Sequence, residues 1–415
     1  MNALAVIVVV IVEAGEEEMM GGDPCGRLLS FTAITHRPYQ AKEIRMKILF
    51  VGFGNLGSQV FDLFVLRAKR GDQFLVGGRN QEYLRERTNW TASAALQLGI
   101  HVEAESTYMD IWDIDRTAET ISSFKPDVIL SSMTVLPSSI ISQLPQPLFK
   151  TLAQARGGPW LPSTLVLVHR LMQAVKQTGL EIIVLNGGTP DNSHAVLSKV
   201  GLAPTSGIGN IANIIPPAKQ AIAAQLHQPV EQVHMLLFAH SYVVQSLRKG
   251  NAGGASLHLT AFVNGEDVTD QLDLPALFSA LPATLEHEYT QLLTAASAAT
   301  VFDAITTKTS TIVHAPGPDG LPGGYPLRAD KRGLEVVLPP GLTLEQAILI
   351  NENGMRFDGI ERIESDGTVY FAEKNMAILK ETLGYECKRM PLSEVEYRAR
   401  ELYAKYQEFT GKHRS

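Results

Sequence analysis

Residues 47 to 57 read Lys-Ile-Leu-Phe-Val-Gly-Phe-Gly-Asn-Leu-Gly, a short apolar run that ends in Gly52, Gly54 and Gly57 at GxGxxG spacing. The run reads as a buried strand. Ser58 to Arg70, with Val60, Phe61, Leu63, Phe64 and Leu66 at helical spacing, reads as the helix that follows. Strand, glycine turn and helix in this order confine the chain to a parallel α/β layer. The first glycine permits the tight turn, the second removes a side chain that would meet phosphate, and the third lets the helix close on the strand. The amino end of that helix then faces the phosphates. Gly52, Phe53, Gly54, Asn55, Leu56 and Gly57 are therefore expected to cradle a dinucleotide pyrophosphate. The alternative is a glycine-rich turn that binds nothing.

The second strand, Asp72 to Gly78, ends without the carboxylate that would bond a ribose 2′-hydroxyl. It continues instead into Arg79 and Asn80, with Arg85 and Arg87 on the next helix, and a guanidinium at this point suits a 2′-phosphate. NADP(H) is thus the expected cofactor, with NAD(H) left open. Arg87 has an equally good reading as part of a solvated helix face.

At 415 residues the chain has room for two or three domains. Its net charge of −7 is spread rather than blocked, so neither nucleic acid nor an anionic membrane is an expected partner, and a small molecule is. Cys25 and Cys387 form neither a CxxC nor a metal-type pattern, which points to a reducing cytoplasm without disulfides or a bound metal. Residues 1–45 look foreign to the rest. The apolar run Leu4 to Val12 is too short to span a bilayer and lacks the basic flank of a signal peptide, so the segment reads as a disordered extension or an over-long start.

Further along, Thr88 to Leu98 reads as a helix, His101 to Ala104 as a third strand, and Lys125 to Leu130 as a fourth that ends in Ser131, Ser132 and Met133, where a ligand would lie. Leu165 to Thr178 reads as a helix and Glu181 to Leu185 as a fifth strand, giving a doubly wound parallel α/β sheet of Rossmann type over residues 46–216. Residues 217–415 read as a mixed α+β domain for substrate binding or dimerisation; a homodimer is compatible with it. Strands are expected at Val233–Phe238 and Leu257–Val263, a helix over Leu274–Ala298, a strand at Val336–Leu338, a hairpin joining Ile360–Ile363 to Val369–Phe371, and a terminal helix over Leu392–Phe409. The Gly- and Pro-rich stretch from Ala315 to Tyr325 reads as a long irregular loop.

Two resemblances follow from these motifs. Over residues 46 to 135, the glycine turn, the Gly-Gly-Arg79-Asn80 strand ending and the Asp110…Lys125-Pro126-Asp127-Val128 run resemble saccharopine-dehydrogenase-like oxidoreductases. That resemblance implies a place for Asp110 near the adenine; a turn or helix cap is its plain alternative. From Asn186 onward the chain resembles the lactate and malate dehydrogenase family. The likeness is carried by Ile182-Ile-Val-Leu-Asn186, by Gly201-Leu-Ala-Pro-Thr-Ser-Gly207-Ile-Gly209-Asn210, and by Val233-His-Met-Leu-Leu-Phe-Ala-His240-Ser241. It implies a catalytic role for His240 and a substrate or nicotinamide contact for Asn186. The chain departs where that family places an aspartate and an arginine, offering Asn213 and Pro216 instead. Arg156, or Arg248 with Lys249, would then grip an anionic substrate, and Asp191 is expected beside a histidine.

The expectation is an NAD(P)-dependent dehydrogenase or reductase that moves hydride to or from a small polar oxo/hydroxy or imino/amino compound. His240 would serve as general acid and base because imidazole titrates near neutrality, with His194 and His258 next in line. The rivals are a catalytically silent dinucleotide-binding sensor or assembly protein and an enzyme that uses bound NAD(P) transiently.

Overall fold

The structure is a computed structural model that describes residues 45–413 apart from 248, 282–286, 308–309 and 331–332. The expectation for residues 1–45 and that for Arg248 thus lie outside the described residues, save Arg45.

The first half builds a six-stranded parallel sheet from β1 (Lys47–Val51), β2 (Gln73–Gly78), β3 (Glu103–Tyr108), β4 (Val128–Ser131), β5 (Ile183–Asn186) and β6 (Ser206–Gly207), in the order β3-β2-β1-β4-β5-β6. This is the 3-2-1-4-5-6 order of dinucleotide-binding sheets, whose ligands lie at the carboxyl ends where the order reverses, here between β1 and β4. β1 and β4 are covered on both faces, which is why their sequences run apolar without alternation. The connecting helices are α1 (Asn55–Val65), α2 (Gln81–Gln97), α3 (Ile114–Phe124), the short α4 (Ser138–Ser142), α5 (Gln146–Ala153), α6 (Leu161–Thr178) and α7 (Pro190–Ser198). Asn80 and Asp113 cap α2 and α3 with side-chain oxygens that accept Tyr83 and Arg116 amides, and Gly179 ends α6 in the left-handed region.

The second half holds α8 (Ile215–Leu226), β7 (Val233–Phe238), α9 (Ser241–Leu247), β8 (His258–Val263), β9 (Glu266–Asp267), α10 (Leu274–Ala280) and α11 (His287–Thr307). These are followed by β10 (Ile312–Pro316), β11 (Gly324–Asp330), β12 (Gly333–Val336), α12 (Leu344–Phe357), β13 (Ile360–Ile363), β14 (Val369–Phe371), α13 (Glu373–Leu383), β15 (Arg389–Met390) and α14 (Val395–His413). The strands form three small antiparallel sheets, β7-β8-β9, β10-β11-β12 and β13-β14-β15. Asn264 and Gly265, both at positive φ, make the two-residue turn from β8 to β9.

The two halves share their apolar clusters. Phe61 packs edge-on against both Phe50 and Phe74, and Phe64 continues onto Phe302 of α11 at 4.9 Å between ring centres. Likewise Leu165 and Val168 of α6 lie in one core with Leu379, Leu402 and Ala399 from the end of the chain. The expected division near residue 216 falls at the entrance to α8.

Several expectations are corrected. The irregular loop expected from Ala315 to Tyr325 is shorter, residues 317–323, because β10 and β11 pair at both of its ends, Ala315 opposite Tyr325 and Pro316 opposite Gly324. Pro316 and Gly324 disguise strand ends whose neighbours Ala315 and Tyr325 are fully buried. The helix expected over Leu274–Ala298 is two, because Leu281 precedes Pro282 and takes the extended conformation a pre-proline residue prefers. Helix α2 starts at Gln81, seven positions before the expected Thr88, because Asn80 caps it. β3 runs on to Tyr108 and β12 lies at Gly333–Val336 rather than at Val336–Leu338.

Candidate functional site

At the glycine turn, each glycine has its own physical reason. Gly52 sits at φ 88°, and a Cβ there would lie 2.7 Å from Met133 Cγ. A Cβ on Gly57 would lie 2.1 Å from the Gly52 carbonyl oxygen, so only glycine lets α1 approach β1 this closely. Gly54 is the opposite case: a Cβ there meets nothing within 4 Å. It is exposed, it is the N-cap of α1 without a side-chain cap, and the first turn of α1 carries no acidic residue. The free amides of that turn thus face an open cradle, the arrangement that suits a pyrophosphate. Ser132 braces it by donating to the Gly52 carbonyl at 2.6 Å.

The other expected cofactor positions lie along the same sheet edge. Ser131 stands level with Val51 on one side and Asn186 on the other, and its buried hydroxyl has no partner among the described residues. Arg79, at the end of β2, is exposed. Asn80 spends its side chain on the cap of α2, and Arg87 is tied to Asp62 and Thr91, so both serve the scaffold. Asp110 follows β3 and accepts the Trp112 amide at 3.2 Å, a turn bond of the kind Asp favours.

Beyond β5 the chain builds a buried polar network on α7, where Asp191, Asn192, Ser193 and His194 are all covered. Asn186 is fully buried: its Oδ1 accepts the Gly188 amide, and its Nδ2 donates to the Gly188 carbonyl and to His194 Nε2 at 3.1 Å. His194 Nδ1 donates in turn to the Gly317 carbonyl at 2.8 Å. Burial lowers the pKa of His194 to about 4, partly opposed by that bond, so the ring is neutral at ordinary pH.

His240 is the N-cap of α9. Its Nδ1 accepts the Tyr242 amide at 3.1 Å, which places the ring proton on Nε2, and Nε2 donates to Asn192 Oδ1 at 2.9 Å. The ring is wholly buried, so in this arrangement neither nitrogen is free to meet a substrate. Asn192 Nδ2 donates to Asp358 at 2.9 Å, and the other Asp358 oxygen accepts the Gly157 amide at 3.0 Å. Burial raises the Asp358 pKa, while His240, Gly157 and Asn192 oppose the rise. Asp191 does not pair with a histidine. It accepts the Ser241 amide at 2.9 Å and a bond from Asn210.

Arg156 is brought to this network by the same loop as Gly157. Its backbone is left-handed at φ 63°, its guanidinium lies 5.0 Å from the Tyr242 ring centre, and among the described residues no carboxylate pairs with it. Of the remaining expectations, Asn213 donates to Thr294, Pro216 opens α8, and His258 bonds Thr260 within its own strand. Sequence reading missed Asn192 and Asp358 as the pair that joins His240 to the Arg156 loop. The signal was four successive polar residues in one helix turn at 191–194; Asp358, 166 positions away, offered none. Among the described residues, no His, Cys, Asp and Glu grouping could hold a metal, and no helix is long and apolar enough to cross a membrane.

No protein-family model and no curated protein sequence matches the chain. Solved structures do. A malate dehydrogenase from Aeropyrum pernix superposes with a TM-score of 0.51 at 15% identity, covering 75% of this chain and 96% of that one. A lactate dehydrogenase from Cryptosporidium parvum, complexed with lactic acid and nicotinamide adenine dinucleotide, gives 0.52 at 14% identity over 76% and 96%. One from Eimeria maxima with NADH and oxamate gives 0.52 at 12% over 75% and 92%. They agree with the second resemblance and do not bear on the saccharopine-dehydrogenase one. The chain therefore has the fold of the malate and lactate dehydrogenases, a Rossmann sheet followed by smaller antiparallel sheets.

Proposed function

We propose that the protein is an NAD(P)-dependent oxidoreductase acting on a small, polar, anionic oxo/hydroxy or imino/amino compound. The observation that carries this reading is the open cradle at Gly54, lying between β1 and β4 where the sheet order reverses and the amides of α1 stand uncapped. Its residues fit a dinucleotide, which when bound supplies or accepts the hydride. Gly52 to Gly57 would hold the pyrophosphate, and Ser131, Ser132 and Met133 would border the nicotinamide half. Asp110 would lie at the adenine side, while Arg79 would meet a 2′-phosphate and favour NADP(H) over NAD(H). The neighbours crystallised with a nicotinamide dinucleotide support the cofactor class and are silent on that preference.

Arg156, held against Tyr242 and without a carboxylate partner among the described residues, would grip the substrate's anionic group. Asn186 would orient substrate or nicotinamide only by giving up one of its present bonds, since its side chain is already bonded to Gly188 and His194. His240 serves as general acid and base only if substrate displaces Asn192 or the Tyr242 amide from the ring.

Thermal unfolding with NADP+, NADPH, NAD+ and NADH tests the cradle, since a ligand at 100 times its dissociation constant stabilises by about 2.7 kcal/mol. A shift with the phosphorylated pair, followed by NADPH loss with an oxo-acid or imino-acid panel, is the expected result. No shift with any of the four overturns the reading. A second reading, a silent dinucleotide-binding protein, is favoured by the burial and double bonding of His240. Binding without turnover across the panel would select it.

A further inference from the structure

A second cavity, of about 700 Å³, lies away from the glycine turn, along one face of α11. Its walls are largely apolar: Ile215 at the start of α8, Leu293 and Ala304 of α11, and Ile312 and Val313 of β10. The volume is that of a small-molecule site. At its border stands His314, 7% exposed, whose Nε2 accepts the Leu237 amide at 3.2 Å. That bond fixes the tautomer, so Nδ1 carries the proton. No described group accepts from Nδ1, and because that atom is not among the fully covered unpartnered ones it is left within reach of whatever enters the cavity.

The charge around it is positive. Lys219 of α8 is near enough to disfavour protonation of His314, which burial holds at a pKa of about 3, so the ring is a neutral donor throughout the ordinary pH range. Lys69 lines the cavity with its ammonium unpaired among the described residues, whereas Arg67 is matched by Asp303 at 2.6 Å. An apolar trough with one fixed N–H donor and surplus cations complements a chain that ends in an acceptor anion.

We propose that this cavity binds a medium-chain monocarboxylate, its tail along α11 and its carboxylate taken by the His314 Nδ1–H in the field of Lys69 and Lys219. The site is independent of the dinucleotide cradle and stands whether or not that reading holds.

Calorimetric titration of the full chain with octanoate and with 1-octanol tests it, alongside light scattering to read the oligomeric state. Octanoate is expected to bind at least tenfold more tightly than the alcohol. Lys69→Ala, an exposed change, should weaken octanoate about two- to fivefold and reduce its salt dependence. His314→Leu should abolish binding; because it also strips the Leu237 amide of its acceptor, His314→Asn, which can accept and donate, serves as the rescue. Octanol binding as well as octanoate, or octanoate binding unchanged in both Lys69→Ala and His314→Leu, overturns the proposal. So does a dimer that octanoate fails to enter at millimolar concentration, which would make the trough an interface between copies.

Discussion

The glycine turn at residues 52–57 and the polar network around His240 sit on the same fold yet solve opposite problems. The turn is local and open: its shape follows from eleven consecutive residues, and its central glycine faces empty space. The network is assembled and closed, drawing Asn186, Asp191, Asn192 and His194 from one stretch, His240 from a second and Asp358 from a third, with the histidines' ring nitrogens engaged. An open local site is built to receive a ligand. A closed assembled one holds elements in place, and becomes reactive only by exchanging a bond.

The contrast can be broken first at Gly57. Gly57→Val places carbon against the Gly52 carbonyl, so a loss of several kcal/mol of stability, or no folded protein, is expected from thermal denaturation. Asp358→Ala comes next. It deprives the half-buried Gly157 amide and the buried Asn192 Nδ2 of their acceptor and should lower stability by about 3 kcal/mol in urea titrations. Asp358→Asn should recover part of that, because burial already disfavours the carboxylate's charge.

Acid should act on the closed network and spare the open turn. The folded-state pKa of His194 is about 4, below its unfolded value of 6.5, so the unfolded chain binds more protons between those values. Stability is therefore full above pH 6.5 and falls as pH drops through that window, by roughly 3 kcal/mol for this group. His314, at about 3, extends the loss in the same direction. Asp358, whose value is raised, contributes oppositely, losing stability as pH climbs above the usual carboxylate range. Denaturation midpoints between pH 4 and 7 should show the net fall, and His194→Gln should flatten it; an unchanged slope in that variant would show that His194 is not buried neutral.

On the open side, Gly54→Leu should leave the unfolding midpoint within about 0.5 kcal/mol of the parent while weakening dinucleotide binding by tenfold or more. The smallest effect belongs to Arg79→Ala, expected to narrow the NADPH-to-NADH affinity ratio by up to about tenfold at low salt without touching stability.

The same contrast explains what was legible beforehand. The strand, turn and helix at 47–65 could be read because glycine spacing and apolar periodicity are properties of neighbouring residues. So could the hairpin at 360–371, which matches its expected bounds. His240 could be located, but not its use as a helix cap, because that depends on where α9 begins. Asp358 was invisible because a carboxylate before a glycine looks like any turn until the Gly157 loop is folded against it. The loop after β10 was read two residues too long at each end because Pro316 and Gly324 hid strand ends whose outer neighbours, Ala315 and Tyr325, are buried.

The hairpin turn after β10 has a further consequence. The Gly317 carbonyl holds His194, and Gly323 donates to the Asp191 carbonyl, so α7, encoded in the parallel-sheet half, is completed by residues more than 120 positions later. Such stitching works against modularity. A fragment ending near residue 216 would expose a helix turn of unmatched polar groups, and the full chain should unfold in one cooperative step rather than shed its second half first. In evolutionary terms, the parallel-sheet half cannot be borrowed by another protein without either inheriting this hairpin or rewriting α7.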